Sequence, residues 1–142
     1  MRLATRAVSD RDRSRRIGCR LAVRRSAADL RVDATRVMRN DPDWLVPEHW
    51  KIEFLSTVRG LAIGGKMDPH DADEAVRWLG AVTVAVAPTG PQVSRIWELR
   101  ANLSAHDAGY VAVAESHDLT LVTADVRIAK AGVARCPIRV IR

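Results

Sequence analysis

Ser104-Ala-His-Asp-Ala-Gly-Tyr-Val-Ala-Val-Ala-Glu-Ser-His-Asp-Leu-Thr-Leu-Val-Thr-Ala-Asp-Val-Arg-Ile128 holds two helix starts and a strand within 25 residues. Ser104-Ala-His-Asp107 fits a capping box, with a hydroxyl before the helix and an acid in its first turn. Ala108, Val111 and Ala112 then continue the helix toward Glu115. Leu119-Thr-Leu-Val122 is a short apolar run that predicts a buried strand. Asp125 to Ala131 predicts a short helix closed by Gly132. A helix, a strand and a helix in this order predict an α/β fold with a mostly parallel sheet.

The same alternation extends outward in both directions. Pro137-Ile-Arg-Val-Ile141 predicts a last strand. Pro91 predicts the start of a helix containing Val93, Ile96, Trp97 and Leu99. Val82 to Val86 predicts a short strand or an extended link. Asp68-Pro69 opens a helix whose Ala72, Ala75, Val76 and Leu79 face inward. Trp44-Leu-Val46 predicts a strand. Pro47 then takes the favoured first position of a helix. Ile52, Leu55, Val58, Leu61 and Ala62 give that helix one buried stripe, and Gly64-Gly65 ends it.

Charge divides the chain. Residues 1–40 hold 12 arginines against 4 aspartates, a net +8, while residues 41–142 carry a net −2. The overall +6 and the pI near 10.3 therefore belong to the N-terminal stretch and are weak grounds for nucleic-acid binding by the rest. Residues 1–40 read as a basic segment without a clean period, and residues 41–142 as a domain. No apolar run is long enough to span a bilayer, and no apolar segment follows the N-terminal arginines as a secretory signal requires. Cys19 and Cys136 have neither disulfide nor metal-ligand spacing, so a reduced, cytoplasmic protein is expected.

Three acids stand out by placement. Glu53 lies beside the apolar stripe of its helix, Asp107 in a helix's first turn, and Asp125 just past a strand's carboxyl end. Ligands of open α/β sheets bind at that edge. Carboxylates gathered there repel one another, and a divalent cation relieves the repulsion. Hard oxygen donors select Mg²⁺ or Mn²⁺, and such sites hydrolyse phosphodiesters. Plainer roles stay open: Asp107 as a capping residue, Asp125 as an N-cap, Glu53 as a solvated side chain.

Three segments carry a resemblance. Ile96-Trp-Glu-Leu-Arg-Ala-Asn-Leu-Ser-Ala-His-Asp-Ala-Gly-Tyr-Val-Ala-Val-Ala-Glu115 resembles the third-acid segment of the PIN-domain ribonuclease toxins of VapBC modules. Leu121-Val-Thr-Ala-Asp-Val-Arg-Ile128 resembles the strand and Thr-x-Asp that carry the family's last acid. Trp44-Leu-Val-Pro-Glu-His-Trp-Lys-Ile-Glu-Phe-Leu-Ser-Thr-Val-Arg59 resembles its second strand and Glu-bearing helix. The resemblance implies a three-layer α/β/α domain and a metal-dependent endoribonuclease. It implies that Glu53, Asp107 and Asp125 are catalytic Mg²⁺ ligands or their close supports. Arg100, Asn102 and Thr123 would serve at the substrate or the metal-bound water. The implied partners are RNA, a VapB-type antitoxin and a second copy of the chain. His49, His106 and His117 read as surface or cap residues.

The family's first strand, apolar-apolar-Asp-x-Ser, has no good match in residues 1–40. Val32-Asp33-Ala34-Thr35 mimics it too close to Trp44 to leave room for a helix. Codons for Ser9 to Cys19, read one base out of frame, can spell Leu-Ile-Val-Ile-Asp, one unspecified residue and Ala-Val-Leu-Ala-Ala, with that aspartate at position 13. The first strand is therefore expected to be missing through a disrupted frame, leaving a poorly stable chain with weak or absent nuclease activity. Two other classes compete: a catalytically degenerate homologue that only binds antitoxin or RNA, and a basic nucleic-acid-binding arm on an α/β body.

Overall fold

The computed structural model describes residues 17–20, by their backbone, and residues 44–141. Five strands form one sheet in the order β3-β2-β1-β4-β5. They are β1 (Ile17–Arg20), β2 (Trp44–Pro47), β3 (Ala85–Ala87), β4 (Thr120–Thr123) and β5 (Ile138–Val140). Every pairing is parallel. Five helices accompany them: α1 (Trp50–Ile63), α2 (Pro69–Ala81), α3 (Val93–Glu98), α4 (Ala105–Ser116) and α5 (Val126–Ala131). Short 3-10 turns, Gly90–Gln92 and Leu99–Ala101, flank α3.

The expectation of a missing first strand is corrected. The backbone of Ile17–Arg20 is the central strand, with Ile17 opposite both Trp44 and Thr120, and Arg20 opposite Thr123. Ile-Gly-Cys-Arg is a poor strand sequence by itself. Partners on both sides supply the ladder that satisfies its backbone groups. Asp33, the part of Ser9 to Cys19 before residue 17 and most of the basic segment lie outside the described residues.

Helix α4 organises the core. Ala108 to Ala114 are all buried, a pattern of a helix covered all round. The helix packs across β1, β2 and β4. Ala108, Tyr110, Val111 and Ala114 join Leu99, Leu119, Leu121 and Ile128 in one cluster. Its end is a Schellman turn. Asp118 takes φ 53°, its N–H donates to Glu115 O at 3.3 Å, and Leu119 N–H donates to Ala114 O at 2.8 Å. That turn sends the chain directly into β4.

Two helix expectations need correction. Pro47 does not begin α1. It ends β2, paired with Ala87, and the helix starts at Trp50. The expected stripe of α1 is only partly covered among the described residues: Val58 is buried and Leu61 and Ala62 are half-buried, but Ile52 is 67% exposed and Leu55 37%. Period identifies an apolar face without saying what lies on it. In α2, Ala72 and Leu79 are buried as expected, whereas Val76 is exposed.

Glu115 pins the C-terminal half of the chain. Arg95 donates to both of its carboxylate oxygens, at 2.7 and 3.0 Å, and to Val133 O at 3.1 Å. Arg135 N–H donates to Glu115 Oε1 at 2.7 Å. Burial opposes ionisation of Glu115, but the Arg95 hydrogen bonds, the Arg135 N–H and the two positive charges outweigh it and hold the carboxyl below its usual range. Glu115 thus stabilises the fold fully above its unfolded pKa, and that contribution is lost as pH falls through its lowered folded pKa. Glu115→Gln should cost about 2–4 kcal/mol at neutral pH and flatten the acid limb of stability. Urea unfolding from pH 3 to 7 checks this, and an unchanged acid limb would contradict it.

Candidate functional site

Parallel pairing places all five strand carboxyl ends on one edge of the sheet. The chain steps from β1 to β2 and β3 on one side, then returns to the other side of β1 with β4 and β5. The edge between β1 and β4 is therefore the switch point where α/β sheets open a crevice.

Each acid reaches that edge by a short local route. Asp125 follows β4 directly and caps α5, accepting from Arg127 N at 2.9 Å. Its own N–H donates to Thr123 Oγ1 at 3.0 Å. Helix α4 feeds β4 through three residues, so it runs back over that strand. Its 12 residues span about 18 Å against about 13 Å for the strand. The α4 N-terminus, with Asp107, therefore reaches the carboxyl edge. The Ser104 hydroxyl caps it, accepting from Asp107 N at 3.1 Å. Glu53 stands in the first turn of α1, which leaves β2 after two residues.

His49 joins two of these helix starts. Its Nε2 lies 3.2 Å from His106 O. A carbonyl only accepts, so Nε2–H is the donor. The ring also meets Tyr110 edge-on, with centroids 5.2 Å apart. One turn later, Glu53 N–H donates to His49 O at 3.0 Å. Glu53 is thus tied by one residue to the backbone neighbour of Asp107.

The environment is polar but enclosed. Glu53 Oε2 and Asp107 Oδ1 are both buried atoms. Asp125 is 9% exposed, and Arg127 reaches both of its oxygens, with Nε at 3.0 and 3.1 Å and a terminal nitrogen at 2.6 Å. Glu53 and Asp107 both lie in the first turn of their helices. Three carboxylates at one edge, two with buried oxygens, are a donor set that fits a hard divalent cation. A cation that takes Asp125 must displace Arg127 or share the carboxylate with it.

The remaining candidates sit differently. Thr123, grouped with substrate contacts in the sequence reading, is fully buried and holds the backbone of Asp125. Arg100 is exposed, donates to Trp97 O at 2.9 Å and lies over the Trp97 ring at 4.7 Å. Asn102 is exposed in the link to α4. Glu53, Asp107 and Asp125 do not all bring ligand atoms within 4.8 Å of one another; among the described residues the group that does is His70, Asp71 and Glu74, all exposed on the first turns of α2. From sequence, His49 carried only a surface or cap role, which its place as the N-cap of α1 fits in part, and Arg127 was passed over. Arg127 is legible afterwards as an Arg two residues past an N-cap Asp, whereas nothing local links His49 to residue 106.

The PIN-domain family profile matches residues 22–134, a span that includes all three acids. VapC ribonuclease Mb0985 of Mycobacterium bovis is 42% identical over 96 residues, covering 68% of this chain and 76% of that protein. Ribonuclease VapC9 of Mycobacterium tuberculosis gives the same values. Ribonuclease VapC12 of Mycobacterium tuberculosis is 27% identical over 84 residues, covering 59% of this chain and 65% of that protein. The crystal structure of PAE2754 from Pyrobaculum aerophilum superposes with a TM-score of 0.66 at 17% identity, over 89% of this chain and 84% of that one. At that identity the likeness concerns the fold alone.

Thr123→Val keeps the shape of the buried side chain and removes the acceptor for Asp125 N–H. It should cost about 1–3 kcal/mol, read by urea unfolding. Unchanged stability would show that this bond does not hold the loop after β4.

Proposed function

We propose, from the premise that this chain belongs to the PIN-domain family and to its VapC branch, that it is a Mg²⁺-dependent endoribonuclease toxin. The observation that carries the reading is the arrival of Glu53, Asp107 and Asp125 at the carboxyl edge beside the β1/β4 switch point. Glu53 and Asp107 would hold the cation through their buried oxygens, with Asp125 as a further ligand or support. Mn²⁺ suits the same donors. A bound divalent cation supplies a water of lowered pKa and neutralises charge on the scissile phosphate. Thr123 keeps Asp125 at the edge through its backbone N–H. Arg100 and Asn102, exposed before α4, are placed to meet RNA phosphates. The partners in this reading are RNA, a VapB-type antitoxin and a second copy of the chain, in the cytoplasm. No described helix is long and apolar enough to cross a membrane.

A second reading has its own support. The sequence of β1 contains no acid, and Arg20 stands at the register of Thr123. Of the four acids that the family resemblance implies, three are therefore at hand in the described residues, and one of them is paired with Arg127. A chain in this state would bind antitoxin or RNA and cut slowly or not at all.

Purified 1–142 chain incubated with single-stranded RNA separates the two. The enzyme reading expects slow cleavage that requires Mg²⁺ or Mn²⁺, stops with chelator, and falls by about 100-fold or more in Asp107→Asn, the loss of a metal ligand. Antitoxin binding without cleavage at any Mg²⁺ concentration would favour the degenerate binder. Cleavage unaffected by chelator would overturn the metal-dependent reading.

A further inference from the structure

We infer that His49 is a positioning residue for the proposed metal site, setting the separation between Glu53 and Asp107 by clamping the start of α1 to the start of α4. The inference rests on the metal-site reading above. Its own grounds are three contacts of one side chain with one helix end. Nε2–H donates to His106 O at 3.2 Å, next to Asp107. The ring packs edge-on against Tyr110. Gly109 leaves the room for it, since a Cβ at that position would stand 2.6 Å from His49 Cε1.

Glycine inside a buried helix is otherwise a poor choice, costing about 1 kcal/mol against alanine. Open space does not explain it here, because the imidazole fills the place of the missing methyl group. The preceding residue holds the same turn from the other side. Glu48 Oε2 accepts from Thr89 N at 2.6 Å, just past β3. Two consecutive residues thus fasten the β2–α1 turn to both neighbours, and Glu53 follows one helical turn later through its N–H bond to His49 O. Metal carboxylates must be held to within a fraction of an ångström, so a clamp on their helices acts on metal affinity through geometry.

The test is Mn²⁺ binding to the full chain, by titration calorimetry or by electron paramagnetic resonance of free Mn²⁺, beside thermal melts without metal. His49→Ala should weaken Mn²⁺ binding by about tenfold or more. His49→Gln places an amide N–H at the reach of Nε2 and should restore much of the loss. His49→Phe keeps ring packing without the donor and should stay weak. Gly109→Ala should weaken binding similarly by expelling the ring, while its gain in helix propensity keeps the chain folded. Native affinity in both His49→Ala and Gly109→Ala would overturn the inference if Glu53→Gln and Asp107→Asn lose binding. No Mn²⁺ binding by the native chain, or native affinity in those two acid variants, would overturn the metal reading and this inference with it.

Discussion

The burial of α4 against three adjacent parallel strands constrains everything else. The helix is covered from Ala108 to Ala114, and its small residues let it lie close to the sheet. Its exit through Asp118 and Leu119 fixes which end of β4 it meets. With that end fixed, its N-terminus and Asp107 fall at the carboxyl edge. Gly109 then admits His49, and His49 brings the start of α1 alongside. The path from a packed core to a polar edge therefore runs through one helix.

That edge concentrates negative charge, and the fold offsets it with elements already present. Glu53 and Asp107 stand in the first turns of α1 and α4, where a helix dipole offsets negative charge. Arg127 covers Asp125, with a side chain that is itself 64% exposed and so can be withdrawn at little packing cost. The contrast with Glu115 is informative. Glu115 is also paired with an arginine, but Arg95 is largely enclosed and is joined by the Arg135 N–H. One carboxylate is locked in structure, while the other is held by a partner that solvent can reach.

Much of the frame was legible locally. Ser104 as a cap, Asp125 as the residue opening α5, and Gly132 in the left-handed region at φ 65° all follow from rules that act within four residues. β1 was not legible, because Ile17–Arg20 becomes a strand through neighbours that lie about 25 and 100 residues away in sequence, beyond the reach of local propensity. Pro47 was misplaced for a related reason: its pairing with Ala87 outweighs its suitability for a helix start. The three acids were visible as types at telling positions. The clamp between them was not, since a histidine after a strand gives no sign that its ring will lie on a glycine 60 residues later.

We propose that Glu53, Asp107 and Asp125 share one divalent cation at the carboxyl edge. Anomalous diffraction from crystals of the full chain grown with Mn²⁺ tests it most directly. The account predicts one strong Mn²⁺ peak within about 2.5 Å of carboxylate oxygens from Glu53 and Asp107, with Arg127 moved off Asp125 if that residue is also a ligand. A map with no peak there, or with Mn²⁺ only beside His70, Asp71 and Glu74, would contradict it.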